Sequence, residues 1–326
     1  MYVLQFCEGR KLSSADHGWN DIVMKRSTSN GHTWSNLTVV LGESTSSKHV
    51  VIGNPAPILD LASGRIFMLF SRNNAEVGVL HTDDEGLSWS AVTELTATLM
   101  KPNGWTSIFT GLSAGLTLDP QGHGNRLIVC SNHNGPDTDT RNKNHGRYSS
   151  SIYSDDSGIT WLAGKNVGPA GSTECNIGQT RTGVYMYSRM WNQGLGAKKT
   201  YGIAASGDGG ISFGKGFSAM GIDWEQPDCQ GTMRMVQAPN GELCFALTAP
   251  FGTARANMTL SYSCGYSPKV WKHDRVLWSG PSAYSSMDTS RDGDTLFALY
   301  ERGVKSSHEE IHLSQILTPA WSTPAV

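Results

Sequence analysis

Several features that would decide the class of this chain at once are missing from it. There is no dense Lys/Arg run, and 26 basic against 28 acidic residues give a formal net charge of −2. That leaves no electrostatic footprint for nucleic acid or an anionic membrane. No stretch approaches the ~18 consecutive apolar residues of a membrane span. The first residues are neither basic nor followed by an apolar secretory core, so the sequence assigns no compartment. Cys7, Cys130, Cys175, Cys229, Cys244 and Cys264 contain no CxxC pair. This argues against a zinc knuckle and a dense disulfide framework, and predicts mostly buried thiols. No helical period of useful length is found either.

What the chain does have is 37 glycines and 10 tryptophans in 326 residues, with only 17% charged residues. Such a composition fits many short strands joined by tight turns, and predicts an all-β protein. The length would allow one large core or two ordinary domains. Repeats decide for one.

The most complete repeat is Ser154-Asp155-Asp156-Ser157-Gly158-Ile159-Thr160-Trp161. Residues 82–89 repeat it fully, 206–213 repeat it with Phe213 for Trp, and 27–34 lack only the carboxylate. The closing aromatics Trp34, Trp89, Trp161 and Phe213 stand 55, 72 and 52 residues apart. A period slightly above 50 means one supersecondary unit per repeat. Within each copy that has it a carboxylate can accept backbone N–H groups across a turn, and in all four a Gly takes positive φ and an aromatic closes the hairpin. One copy alone would be an ordinary Asp-Gly turn. Four in series are a structural staple with no chemistry of its own.

In chain order, residues 1–7 read as a strand already under way, residues 8–18 as a polar loop, and 21–26 as the next strand. The segment 54–57 (Asn-Pro-Ala-Pro) breaks regularity before a strand at 65–70. The polar segment 132–147 reads as an exposed loop. Further strands are expected at 184–189, 242–247, 258–263 and 296–301.

Two apparent catalytic patterns fail on physical grounds. Gly111-Leu112-Ser113-Ala114-Gly115 matches a nucleophile elbow, but the required helix after the serine is replaced by the strand-like Leu116-Thr117-Leu118 and Pro120. His308-Glu309-Glu310-Ile311-His312 matches a zinc-protease helix. On a strand its two histidines would be about 13 Å apart, too far to share one zinc at about 2.1 Å. No metal or other cofactor is expected.

The repeated staple resembles the Asp box of sialidases and other β-propeller proteins. Further short motifs appear in the order of the sialidase family and cover nearly the whole chain: Phe6-Cys7-Glu8-Gly9-Arg10, Asp16, residues 21–27, Glu174-Cys175, Tyr187-Ser188-Arg189, Cys229-Gln230-Gly231, Ala254-Arg255, Ala283-Tyr284-Ser285 and Leu299-Tyr300-Glu301. The resemblance implies an all-β, six-bladed β-propeller with Asp-box hairpins. It would form a single domain over residues 1–326 whose first blade is incomplete. The implied activity is that of a retaining exo-α-sialidase acting on sialylated glycans of glycoproteins, glycolipids and oligosaccharides.

The chemistry accounts for these residue types. A sialic acid carries a carboxylate on its anomeric carbon, so a carboxylate nucleophile would approach against like charge, whereas a phenol does not. By resemblance Tyr284 is that nucleophile. A free phenol ionises near pH ~10, so it needs a base in hydrogen-bond reach, and Glu174 matches the family's partner. Asp16 matches the acid/base that protonates the leaving oxygen and later activates water. Arg189 and Arg255 match two of three arginines that hold the substrate carboxylate through planar, charge-assisted hydrogen bonds. Glu8 and Arg10 are expected to shape the sugar pocket, Trp105 to wall it against the N-acetyl group, and Glu301 to orient the first arginine of the triad.

Taken alone, each of these residues has a plainer reading, such as a core tyrosine, a turn-capping Asp or a surface Arg. The first arginine itself, carried by the family in a Tyr-Arg-Ile-Pro or Phe-Arg-Ile-Pro motif, does not occur in this sequence. That departure implies either a start downstream of the motif or weakened hydrolysis. It makes a sialic-acid-binding, lectin-like propeller the alternative to an enzyme. A propeller scaffold with no sugar site has no need for Asp16, Glu174, Tyr284, Arg189 and Arg255 together.

Overall fold

A computed structural model describes residues 3–12, 17–118, 124–135, 147–180, 183–190, 201–222, 226–265, 270–290 and 292–321. The strands follow one another along the chain in antiparallel meanders, as the alternating apolar runs and frequent turn residues require. The first sheet runs β1 (Val3–Arg10), β2 (Asn20–Ser27), β3 (Thr38–Leu41). The second runs β4 (Ile52–Leu59), β5 (Ile66–Arg72), β6 (Glu76–Thr82), β7 (Thr93–Glu94). The third comprises β8 (Ser107–Thr110), β9 (Leu116–Thr117), β10 (Leu127–Asn134), β11 (Arg147–Ser154) and β12 (Leu162–Ala163), in the order β12-β11-β10-β8 with β9 on β10. The fourth is β13 (Ser172–Thr180), β14 (Gly183–Met190), β15 (Tyr201–Ser206), β16 (Ser218–Ala219).

The last sheet has six strands: β17 (Thr232–Gln237), β18 (Leu243–Ala249), β19 (Ala256–Cys264), β20 (Lys272–Thr289), β21 (Thr295–Arg302) and β22 (Glu310–Leu317). Its long strand β20 pairs with β19 between Lys272 and Pro281, and with β21 from Ser282 onward. The all-β expectation is thus met by five antiparallel sheets among the described residues, the first of three strands. Among the described residues helix is limited to one five-residue turn, Thr96–Met100, and a 3₁₀ turn, Lys101–Asn103.

The chain forms two compact units, Met1–Thr138 with Ser150–Gly164, and Asp139–Ser149 with Lys165–Val326. The core of the first gathers Ala56, Ile58, Phe67, Leu69, Leu127 and Trp161. Among the described residues the second has clusters around Tyr187, Tyr201 and Phe245, and around Leu260, Leu296 and Tyr300.

The staples form as their sequence predicts. Asp84 Oδ1 accepts the Ser88 N–H at 2.8 Å and the Thr82 hydroxyl at 2.7 Å, while its Oδ2 accepts the Ser88 hydroxyl at 2.6 Å. Asp156 and Asp208 do the same with Thr160 and Ser154, and with Ser212 and Ser206. In the copy without a carboxylate the Ser29 hydroxyl takes over, accepting the Thr33 N–H at 2.8 Å. The closing aromatics also reach back to the preceding sheet. Trp161 meets Phe67 edge-on at 5.7 Å, and Trp89 meets Phe6 at 5.9 Å. Gly158, at φ 83°, lies so close to Phe67 that a Cβ would come within 2.2 Å of its ring.

Several sequence expectations need correction. Residues 8–10 belong to β1 rather than to a loop, because Glu8, Gly9 and Arg10 pair with Ile22, Asp21 and Asn20. Residues 54–57 lie inside β4, where a bulge between Gly53 and Ala56 accommodates the irregularity. Of the segment read as an exposed loop, Asn132 and His133 are buried in β10 and Arg147 opens β11; residues 136–146 lie outside the described residues. The cysteines are not mostly thiols: Cys244 and Cys264, opposed in β18 and β19, form a disulfide, and Cys130 and Cys175 are also disulfide-bonded. Cys229 remains a free, buried thiol.

Neither misleading pattern becomes a site. The segment 111–115 is followed by β9, not a helix, and His308 lies in a turn while His312 is on strand β22. Among the described residues no helix is long and apolar enough to cross a membrane.

Candidate active site

The second unit brings together five of the residues singled out by sequence. Strands β13 and β20 of two different sheets carry the key pair, and in both a β-bulge sets the side chain. In β13 the register jumps between Ser172 and Cys175, leaving Thr173 and Glu174 opposite Arg189 of β14. In β20 it jumps between Ser282 and Ser285, leaving Ala283 and Tyr284 opposite Glu301 of β21. A bulge turns a side chain out of the regular alternation and is a recurrent device beside reactive groups. Each bulged residue is also bonded to the one facing it. Arg189 Nη1 donates to Glu174 Oε2 at 2.6 Å, and the Tyr284 N–H donates to Glu301 Oε2 at 3.2 Å.

The two bulges meet. The Tyr284 hydroxyl donates a short hydrogen bond to Glu174 Oε1. Arg189 thereby fixes one carboxylate oxygen and leaves the other for the phenol. Burial, and then the Glu174 charge, raise the Tyr284 pKa well above that of a free phenol. The phenol therefore keeps its proton at neutral pH and needs a base in contact to become a nucleophile. Burial opposes the charge of Arg189, but Glu174 and Asp228 more than offset it and its pKa is raised.

Asp228, which sequence reasoning missed, joins the two arginines. Its carboxylate accepts Arg189 Nε at 2.8 Å and its backbone carbonyl accepts Arg255 Nη2 at 3.1 Å. It does so in a left-handed conformation, φ 56°. Arg255 is exposed, with its guanidinium 5.6 Å from the centre of the Tyr284 ring. Arg147, also missed, lies within electrostatic reach of Glu174 and Arg189, and burial pushes its pKa down. Cys229 is a buried thiol whose pKa is pushed up to about 12 by burial, so it is no rival nucleophile. Gly231 is explained by space: a Cβ there would stand 2.7 Å from the Tyr187 hydroxyl and 2.8 Å from the Thr248 carbonyl.

The first unit holds the remaining candidates. Glu8 Oε2 accepts Arg10 Nε and Nη2 at 3.1 and 2.9 Å, and its Oε1 accepts the Asn54 N–H at 2.9 Å. Gly53 leaves room for this, since a Cβ there would lie 2.5 Å from Glu8 Oε1. Trp105 is 7% exposed and stacks on His133 with ring centroids 3.7 Å apart. Asp16 lies outside the described residues. The sequence offers no signal for Asp228 or Arg147, whose relevance depends on contacts 39 and 27 residues away along the chain.

Chemically, the cluster in the second unit presents a phenol against a carboxylate, beside two guanidinium groups cross-linked by a second carboxylate. It can bind an anion and remove a proton from the phenol as that oxygen forms a new bond.

A family model described as BNR repeat-like domain matches residues 6–297. A sialidase of Micromonospora viridifaciens is 29% identical over 335 residues, covering 94% of this chain and 49% of that protein. The chain thus spans about half the length of that relative. Sialidase-3 of Mus musculus is 24% identical over 379 residues, covering 94% of this chain and 86% of that protein. Among solved structures, the Hadza microbial sialidase Hz136 superposes with a TM-score of 0.79 at 20% identity, over 97% of this chain and 63% of that one.

Proposed function

We propose that this chain, which belongs to the BNR repeat-like domain family and is a sialidase-family β-propeller, is a retaining exo-α-sialidase that releases terminal sialic acids from glycoconjugates. The observation carrying this reading is the hydrogen bond from Tyr284 to Glu174, with Arg189 on the other carboxylate oxygen.

In the first step the Tyr284 oxygen attacks the anomeric carbon while Glu174 takes the phenolic proton. The bond to the leaving oxygen breaks as Asp16 protonates it. In the second step Asp16 removes a proton from water, whose oxygen attacks the same carbon. Tyr284 departs and recovers its proton from Glu174. Two inversions give net retention. Arg189 and Arg255 hold the sugar carboxylate throughout, and Asp228 keeps their planes fixed.

Glu301 acts here on the nucleophile's own backbone N–H. The roles of Asp16 as acid/base, and of Glu8 and Arg10 as shapers of the sugar pocket, rest on the family resemblance. Trp105, packed on His133, backs the N-acetyl wall in this reading. The six-bladed count follows if the last sheet is taken as two blades sharing β20, whose halves pair with different neighbours. The single-domain reading is supported by a family match that runs through both units.

Turnover of a fluorogenic aryl sialoside tests the proposal. Release of sialic acid of retained anomeric configuration is expected. Saturable binding of the sialoside without any release would overturn the enzyme reading in favour of a lectin.

A further inference from the structure

Tyr284 and Glu174 stand on strands of different meanders, and the segment 230–237, which includes β17, is bonded to both. Gln230 treats Ser285, the residue after Tyr284, as a neighbouring strand would. Its Nε2 donates to the Ser285 carbonyl at 3.0 Å, and the Ser285 N–H donates to its Oε1 at 2.9 Å. The Thr232 hydroxyl donates to the same carbonyl at 2.6 Å. On the other side Asn176, two residues after Glu174, does the same for β17: its Nδ2 donates to the Met233 carbonyl at 2.7 Å, and the Met233 N–H donates to its Oδ1 at 3.4 Å.

Arg234 bridges the two strands. Its Nε donates to the Met287 carbonyl at 3.0 Å and its Nη1 to the Ile177 carbonyl at 3.1 Å. Met287 is three residues beyond Tyr284, and Ile177 three beyond Glu174. One planar guanidinium thus spans corresponding positions of both reacting strands. All four side chains are buried. Strands packed only through apolar side chains can shift by fractions of an ångström, whereas directed hydrogen bonds fix both distance and register. A buried guanidinium is a costly way to fill space that Leu or Met could fill, which points to a geometric role.

We propose that Gln230, Thr232, Arg234 and Asn176 form a polar spacer that sets the distance between the Tyr284 oxygen and the Glu174 carboxylate. They are positioning residues for the proton transfer, touching neither substrate nor the reacting atoms. This inference rests on the reading of Tyr284 as nucleophile and Glu174 as its base.

The test uses the full chain with Arg234→Met, Arg234→Lys and Gln230→Met, assayed with a fluorogenic sialoside well below each variant's melting point. Loss of the spacer is expected to lower kcat about 10- to 100-fold, the scale of a sub-ångström to 1 Å misplacement. KM should stay within about threefold, because Arg189 and Arg255 are untouched. Arg234→Lys keeps the charge but not the fork, so it should fold and still lose kcat. Thr248→Val serves as the stability control: it removes a buried hydroxyl that donates to Ser285 Oγ at 3.1 Å and should melt lower while retaining kcat.

Unchanged kcat in folded Arg234→Lys or Gln230→Met would overturn the spacer, as would a rise in KM alone. Tyr284→Phe, run alongside, separates the two readings. If it still turns over, the premise fails; if it is inactive while the spacer variants keep full kcat, only the spacer fails.

Discussion

The Tyr284 hydroxyl is hydrogen-bonded to Glu174 across a sequence gap of 110 residues, and each of the two residues sits on a β-bulge facing its own charged partner. The bulges matter because a regular strand would send every second side chain to the same face. An extra residue aims the phenol and the carboxylate at each other instead.

Replacing Glu174 by Gln keeps a hydrogen-bond partner for Tyr284 but removes the group that can take its proton. The kcat for an aryl sialoside is expected to fall about 10²- to 10⁴-fold, the usual contribution of a positioned base. Steady-state kinetics on the folded variant check this.

Asp228→Asn removes the carboxylate from Arg189 while leaving the backbone bond to Arg255. The Arg189 guanidinium then loses one of its two anionic anchors. KM for sialosides is expected to rise about tenfold, equivalent to one charge-assisted hydrogen bond, with a smaller change in kcat. Substrate titration with wild type and variant decides it.

Burial raises the pKa of Tyr284, and likewise of the fully buried Tyr187 and Tyr201. In the unfolded chain these phenols ionise near pH ~10. Because the folded values lie higher, their contribution to stability is intact below that pH and is lost as pH rises above it. The melting temperature should fall above pH ~10, and the tyrosinate absorbance of these three should appear only with unfolding. Tyr284→Phe should make the decline shallower by about one proton's worth, ~1.4 kcal/mol per pH unit.

For the staples the sign is opposite. Hydrogen bonds from the Ser88 hydroxyl, the Ser88 N–H and the Thr82 hydroxyl hold the Asp84 carboxyl down to about 2. Its contribution is present above the unfolded value of ~3.9 and is lost as pH falls from there toward 2. Asp84→Ala should therefore melt below wild type at pH 7, and the difference should shrink in acid. Thermal melts across that range provide the check.

The staples were legible from sequence because every bond they make is local, from Thr82 to Ser88 or from Ser154 to Thr160. Tyr284, Glu174, Arg189 and Arg255 were legible only as an ordered series of motifs, since nothing near Tyr284 along the chain marks it as facing residue 174. Asp228 and Arg234 were invisible for the same reason: their partners are 39, 57 and 53 residues away. The Cys244–Cys264 bridge depends on a strand register that places the two directly opposite, which spacing alone does not reveal. Glu8 to Arg10 look like a polar loop until their pairing with β2 is known.

The most direct test of the account is to incubate the protein with a 2,3-difluorosialic acid, whose fluorine slows breakdown of a glycosyl-enzyme, and to map the modified peptide by mass spectrometry. A single sialyl adduct on the phenolic oxygen of Tyr284, absent from Tyr284→Phe, is the predicted result. An adduct on any other side chain would contradict it, as would steady turnover of substrate by Tyr284→Phe.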